Sequence, residues 1–332
     1  QMEQREREMT SHNQTAHGSR PRVLVLMGGP DAEREVSLMS GTQVAEALVA
    51  DGAFEVISLV VDRPSASELL AHAPDVIYPV LHGPWGEGGP LQEILEEIEV
   101  SCGAPHVGPG SRAAAIAMDK VRAKMVATRI GIRTPLSREV RTGEPINLPL
   151  PFVLKPSNDG SSVDLRICRT DDDVARARAE IEPRRSALMA EQYIAGREMT
   201  VGIVDGLVLP VIEILPATAF YDFDAKYYRD DTRYVLDPEV PAGVLRDMRD
   251  ATEAIYREIG LRDAARADFM VDERGAWFLE INSAPGMTTH SLVPKAARHR
   301  GIEMPELCGG LVRRALARRD ATRGARTLAG QT

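Results

Sequence analysis

The first ordered signal in the chain is a continuous apolar run, Val23-Leu24-Val25-Leu26-Met27 after Arg22, stopped by Gly28-Gly29-Pro30. An unbroken run of this length marks a strand buried on both faces, as in a parallel sheet. A helix is predicted from about Ser37, and short β-type runs follow at 56–61 and 76–81. Leu91, Ile94, Leu95 and Ile98 then recur at i, i+3, i+4 and i+7 before Gly103, the spacing of one helix face. Strands alternating with helices in this way predict an open α/β unit.

The pattern changes near Gly108. An Ala-rich helix leads to a Pro-rich connection at 135–151 and a strand at 152–155 that runs into Asp159-Gly160-Ser161-Ser162. A third stretch carries strands at 199–214, a polar aromatic loop at 218–234, and a helix whose apolar face holds Val244, Met248, Ala251, Ile255 and Ile259. Two further strands, 266–271 and 276–281, flank Glu273-Arg274-Gly275 and read as a hairpin with a three-residue loop. Such a loop sets Asp272 against Ala276, Asp268 against Glu280 and Arg266 against Asn282. By alternation Arg266, Asp268, Glu280 and Asn282 share one face, and Phe269, Val271, Leu279 and Ile281 share the other. Residues 1–20 are polar, lack the apolar segment of a secretory signal and read as a disordered leader. The Arg-rich stretch beyond Leu311 reads as a solvated helix end, with 319–332 a flexible tail.

Composition narrows the function. At 332 residues and 43% hydrophobic types the chain is ordinary globular material, long enough for two or three packed units. The net charge of −9 argues against a nucleic-acid backbone as the main partner, since that needs a strong positive field. The longest apolar runs, such as 113–118, fall far short of the roughly 18 residues of a bilayer crossing, so no membrane partner is expected. Three widely spaced cysteines suit a reducing cytoplasm better than a disulfide frame or a zinc site.

Charge concentrates on the hairpin. Two carboxylates set across from each other repel unless neutralised, by Arg266 or by a hard divalent cation, and an oxygen-only set of Asp, Glu and Asn favours magnesium over zinc. The same pattern also fits a solvated outer face with Arg266 as an ordinary ion-pair partner. Gly160-Ser161-Ser162, after a strand ending in Lys155, offers amides and hydroxyls to an anion, though no P-loop pattern occurs in the chain. Gly108-Pro109-Gly110-Ser111-Arg112-Ala113 resembles a dinucleotide fingerprint without its later acidic residue, and reads as a helix-start turn. Asp31 to Ser37 follows the first strand, where open α/β sheets bind ligands, and Glu33 or Glu35 could hold an ammonium there. Both also suit a first helical turn, where carboxylates favour the dipole. His82 ends a strand on the same edge. The absence of G-x-S-x-G excludes a serine hydrolase of that kind.

Six spaced motifs together resemble the ATP-grasp superfamily and, within it, the D-alanine–D-alanine ligase family. They are Gly28-Gly29 with Ala32-Glu33-Arg34-Glu35-Val36-Ser37; Val80-Leu81-His82-Gly83 with Gly86-Glu87; Ala117-Met118-Asp119-Lys120; Lys155-Pro156 with Gly160-Ser161-Ser162-Val163; Phe220-Tyr221-Asp222 with Ala225-Lys226-Tyr227; and Glu280-Ile281-Asn282 with Pro285-Gly286-Met287-Thr288. The resemblance spans about 22–316 and implies an α/β, three-domain architecture: a parallel substrate domain at 21–108, a central domain at 109–191, and a third domain at 192–318, the last two clasping ATP.

The resemblance also implies roles. Lys120, Lys155 and Lys226 would meet ATP phosphates, and Ser161 and Ser162 would lie on a loop closing over them. Glu191, Gln192 and Ile194 would hold adenine, and Glu198 the ribose. Asp268, Glu280 and Asn282 would bind two magnesium or manganese ions. Glu33 would take the ammonium of the first D-alanine, with Ser161 and Tyr227 hydrogen-bonded to it and Ser37 and His82 nearby. Arg266 and the Gly286 amide would stabilise oxyanion charge, and Ser291 and Leu292 would receive the second D-alanine. Joining two D-alanines for peptidoglycan precursors, in the cytoplasm and as a homodimer, is the implied activity. Relatives making D-alanyl-D-lactate or D-alanyl-D-serine differ around the Lys-Tyr pair, which this chain keeps at Lys226-Tyr227. A non-catalytic nucleotide-binding relative would be expected to lose Asp268, Glu280 or Lys155. Gly88, Pro90 and Asp164 depart from the family's usual Asp, Thr and Gly, and the short 136–151 connection implies a trimmed central domain.

Overall fold

The computed structural model describes residues 20–158, 164–185, 187–215 and 232–329. The opening run forms β1 (Arg22–Gly28), the centre of a parallel sheet with β2 (Glu55–Val61) and β3 (Val76–Pro79) on either side. Val23, Val25 and Met27 enter one core and Leu24 and Leu26 another, which is why the run has no polar alternation. α1 (Arg34–Asp51) starts three residues before Ser37 and stops at Gly52, whose left-handed φ of 78° suits a glycine. After the single turn of α2 (Ala66–Leu70) and of α3 (Gly83–Glu87), α4 (Pro90–Cys102) buries the predicted stripe of Leu91, Leu95 and Ile98.

The Ala-rich helix is two helices, α5 (Ser111–Met118) and α6 (Lys120–Arg129). Asp119 separates them: its backbone is extended, and its carboxylate accepts from the amides of Val121 (2.9 Å) and Arg122 (3.1 Å). The cap places Lys120 at the first position of α6. The Pro-rich connection contains a strand, β4 (Ser137–Val140). It joins β5 (Phe152–Pro156), β6 (Arg166–Cys168) and β7 (Leu188–Gln192) in an antiparallel sheet ordered β4-β7-β5-β6. α7 (Asp171–Ile181) packs Ala177 and Ile181 into this sheet's own small core, with Phe152, Leu154 and Ala190.

A third sheet, ordered β10-β9-β8-β11-β12, is antiparallel and built from β8 (Arg197–Val204), β9 (Leu207–Leu215), β10 (Arg233–Leu236), β11 (Ala264–Asp272) and β12 (Gly275–Asn282). β10 takes the last two positions of the loop expected at 218–234; positions 218–231 lie outside the described residues. One face packs on α8 (Ala242–Ile259) through Met248, Ile255 and Ile259. The other meets α9 (Leu292–His299) and α10 (Met304–Ala329) in a core that also takes Val23, Val25 and Met27. The first and third units therefore share one apolar interior.

The hairpin reaches the expected pairing by an unexpected route. Asp272 pairs with Gly275, not Ala276, so the turn is the two residues Glu273-Arg274. A bulge between Asp268 and Phe269 then shifts the register by one, and Asp268 faces Glu280 and Arg266 faces Asn282. The shift exchanges roles on the apolar side: Phe278, fully buried, meets Phe269 edge-on with ring centroids 5.9 Å apart, and Leu279 is only partly buried.

The Arg-rich end is not simply solvated. In α10, Arg318 donates to both oxygens of buried Asp263 (2.5 and 2.8 Å) and to the His106 carbonyl (3.0 Å). Arg313 donates to both oxygens of Asp51 (2.7 and 2.6 Å). The helix continues to Ala329, across residues expected as tail. Among the described residues no helix is long and apolar enough to cross a membrane.

Candidate active site

The strand ends of the first sheet supply one side of the site. Glu33 is buried at the start of α1 and Glu35 is exposed, so Glu33 is the carboxylate that faces inward. Its neighbour is a residue with no assigned role in the sequence reading, Glu87. Glu87 accepts from the Gly83 amide (3.0 Å), and burial followed by repulsion from Glu33 pushes its carboxyl up to about 8. His82 lies with Nδ1 3.9 Å from Glu87. Burial, helped by the Arg266 charge and opposed by a hydrogen bond to the Ala284 backbone, brings the His82 imidazole down to about 4. It is therefore neutral near pH 7, a hydrogen-bonding group and not a cation.

Ser37 does not open onto this space. Its fully buried hydroxyl accepts from the Gly28 amide (2.9 Å) and donates to the Val80 carbonyl (2.7 Å), which ties β1 to the end of β3. In this position it braces the glycine turn. Gly88 and Pro90, where the chain departs from the family pattern, both fit their local surroundings. A Cβ on Gly88 would stand 2.3 Å from the Pro84 carbonyl oxygen, and Pro90 occupies the first turn of α4, where a missing N–H leaves no bond unmade.

The third sheet supplies charge. Arg266 donates from Nε and Nη2 to the two oxygens of Asp268, each at 2.9 Å, and the Thr200 hydroxyl donates to Asp268 at 2.6 Å. Lys120 Nζ lies 3.1 Å from Glu280. The Asn282 side-chain oxygen accepts from the Ala284 amide (2.9 Å). Among the described residues no third carboxylate, histidine or cysteine joins Asp268 and Glu280 in a metal-ligand cluster. Two carboxylates and one amide oxygen nevertheless suit magnesium or manganese, which takes few protein ligands and completes its shell with phosphate oxygens and water. Both carboxylates are held here by cationic side chains that such ions could replace.

Beyond Asn282, Ser291 precedes the first residue of α9, and its hydroxyl is engaged by the Thr288 amide (3.0 Å) and hydroxyl (2.8 Å). A Cβ on Gly286 would approach the Ser291 hydroxyl to 2.9 Å, so this turn accepts only glycine without rearrangement. The Leu292 side chain points into the shared core, which leaves only its backbone, at the N-terminus of α9, to meet a ligand.

The central sheet holds a buried triad. Glu191 lies between Lys155, whose Nζ donates to Oε2 at 2.6 Å, and Lys124, whose Nζ forms an ion pair with Oε1. Burial alone would raise the Glu191 carboxyl, but the two ammonium groups hold it below the usual range. Burial likewise works to lower Lys155, and Glu191 and Glu280 overcome it, so Lys155 rises. Lys124 goes the other way, to about 8, as burial and the Lys155 charge outweigh Glu191. Lys124 is absent from the sequence reading, since a single lysine four positions after Lys120 on a helix ordinarily faces water. The amides of Gln192 and Tyr193 are used on Leu136 (2.8 Å) and Pro151 (3.2 Å), Ile194 is buried, and Glu198 is close enough to add to the field on Lys155. Asp164, at a left-handed φ of 60°, is neutralised by Arg184 (3.0 Å) and Arg185 (2.9 Å), so it adds no uncompensated negative charge beside the loop that follows Lys155. Ser161, Ser162, Lys226 and Tyr227 lie outside the described residues.

Charged groups carried by the three sheets act on one another: Arg266 on His82 and Glu87, Lys120 on Glu280, and Glu280 on Lys155. Comparison with known proteins agrees with the family resemblance. Residues 127–313 match the family model described as D-ala D-ala ligase C-terminus. The chain is 40% identical over 306 residues to a D-alanine–D-alanine ligase of Laribacter hongkongensis, covering 89% of this chain and 96% of that one. It is 38% identical over 289 residues to the enzyme of the same name from Syntrophotalea carbinolica, covering 86% and 93%. A crystal structure of the Bacillus anthracis D-alanine–D-alanine ligase complexed with ATP superimposes with a TM-score of 0.79 at 31% identity, over 92% of this chain and all of the other. With the family model and relatives matched over nearly their whole length in agreement, the chain belongs to the D-alanine–D-alanine ligase family.

Proposed function

We propose that the chain joins two D-alanine molecules into D-alanyl-D-alanine for peptidoglycan precursors, converting ATP to ADP and phosphate. The observation that carries the reading is the facing pair Asp268 and Glu280, with Arg266 on one and Lys120 on the other, in a chain of this family. Lys120 and Lys155 would hold the phosphates, and Glu33 the ammonium of the first D-alanine. That substrate's carboxylate attacks the γ-phosphorus, ADP leaves, and an acylphosphate forms. The amine of the second D-alanine then adds to the acyl carbon, and phosphate departs from the tetrahedral intermediate as the nitrogen loses a proton.

The protein's part is positioning and charge stabilisation rather than nucleophilic attack. Arg266 and the Gly286 amide would meet the developing oxyanion, and Ser291 with the Leu292 amide the second carboxylate. Divalent ions held by Asp268, Glu280 and Asn282 would neutralise phosphate charge. Neutral His82, beside Glu87, would hydrogen-bond the first substrate without competing for its carboxylate. The Lys226-Tyr227 pair that the chain keeps supports an amine as the acceptor. A homodimer in the cytoplasm fits the family resemblance.

Purified protein incubated with ATP, magnesium and D-alanine should release phosphate and dipeptide in equal amounts. No phosphate and no dipeptide would overturn the proposal. Ester product with D-lactate at neutral pH would move the chain to the depsipeptide branch.

A further inference from the structure

Lys124 carries an inference that rests on the nucleotide-binding part of this reading and extends it. Its ammonium group, with the residue 3% exposed, has three partners: the Thr134 hydroxyl (2.7 Å), the Phe278 carbonyl (3.3 Å) and Glu191. Two hydrogen bonds and one ion pair thus hold Lys124 from three sides. Thr134 donates in turn to the Phe278 carbonyl at 2.9 Å, which fixes the anchor on β12. Lys155, the other cation on Glu191, sits on β5 just before the segment expected to close on phosphate.

The two lysines consequently differ in what nucleotide does to them. Bound triphosphate would draw Lys155 toward itself. Were Lys124 absent, Glu191 would then be a lone buried anion, which a protein interior does not tolerate without a partner. We infer that Lys124 is a positioning residue, the permanent counter-ion that keeps Glu191 ionised and in place as an acceptor for the adenine amino group while Lys155 is exchanged to the phosphates. Through the Phe278 carbonyl it also ties the base-binding strand β7 to β12, the strand that carries Glu280.

The test compares ADP with inosine diphosphate, which has a carbonyl where adenine has the amino group, by calorimetric binding to the full chain. The native chain should prefer ADP by at least about tenfold, the worth of a hydrogen bond to a charged group. Lys124→Met should lose about tenfold or more in ADP affinity, with the preference falling below about threefold, while the KM for D-alanine changes less than about threefold. Equal loss for both nucleotides, unchanged ADP binding, or no preference in the native chain would overturn the inference. If Lys124→Met does not fold, Thr134→Val carries the test: it removes one anchor and keeps the charge. Its preference should fall about threefold, and an unchanged preference overturns the inference. A native chain that binds ADP selectively yet makes no dipeptide would overturn the ligase proposal alone.

Discussion

Asp268 and Glu280 face each other across the β11–β12 ladder, and each is held by a different cation. Arg266 grips the first with two hydrogen bonds, and Lys120 approaches the second at 3.1 Å. Glu280→Gln keeps the volume and removes one negative charge from the ion-binding pair. Turnover should fall by at least about 100-fold, with circular dichroism and melting temperature essentially unchanged. Retained turnover would show that metal charge is not organised here.

The pH dependence of stability should separate His82 from Glu87. His82 is depressed from 6.5 to about 4, so the unfolded chain binds the extra proton first as pH falls. Stability from this group is complete above about 6.5 and drains away toward pH 4, by about 3 kcal/mol at most. Glu87 is raised from 4.5 to about 8, so its contribution is complete below 4.5 and lost as pH rises to 8. Glu87→Gln should therefore raise the melting temperature at pH 8 more than at pH 5. His82→Gln should flatten the acid limb, and a melting curve that ignores both substitutions would refute the burial argument.

Asp263 receives Arg318 and the Gly108 amide (2.7 Å), and its φ is 65°. Asp263→Ala leaves Arg318 without its carboxylate and puts a plain side chain in a left-handed conformation, at a cost of about 3 kcal/mol. Asp263→Asn, which tolerates that φ, should cost visibly less. Urea titrations that rank the two equally would show that backbone geometry is irrelevant at this position.

Phe278 and Leu279 test the bulge. Phe278→Ala empties the core against Phe269 and should cost about 3–5 kcal/mol, while Leu279→Ala should cost under about 1.5. The reverse order in denaturant midpoints would restore the simple alternation expected for a three-residue loop.

Gly88→Asp would install the residue the family commonly has at this point. With the Pro84 carbonyl oxygen 2.3 Å from a Cβ there, the helix turn must shift, and the variant should lose about 1–3 kcal/mol. A thermal melt matching the native chain would mean that α3 yields freely.

Much of this was readable from residue order because buried parallel strands and strand parity leave plain marks. β1 and the shared face of Arg266, Asp268, Glu280 and Asn282 are examples. The hairpin face was right although its turn was not, since a loop one residue shorter and a bulge of one residue cancel toward Asn282 and do not cancel at Phe278 and Leu279. Periodicity cannot register such a compensation. Lys124, Glu87 and Arg318 escaped for another reason. Each acquires its role from partners more than thirty positions away or from a second buried carboxylate, and nothing adjacent in the chain reports burial of a charged side chain.

The common core of the first and third units has a consequence for how the molecule breathes. Val23, Val25 and Met27 share an interior with Leu209, Ile212 and Ile214, and the β4-β7-β5-β6 sheet keeps a small interior to itself. The least costly partial unfolding is then release of that sheet alone, which uncovers Glu191 and Lys155 and leaves Glu33 and Asp268 in register. Deuterium should enter the amides of β5 and β7 before those of β1 and β11. Bound nucleotide, by bridging the detachable sheet to the fixed pair, should close that gap in exchange rates.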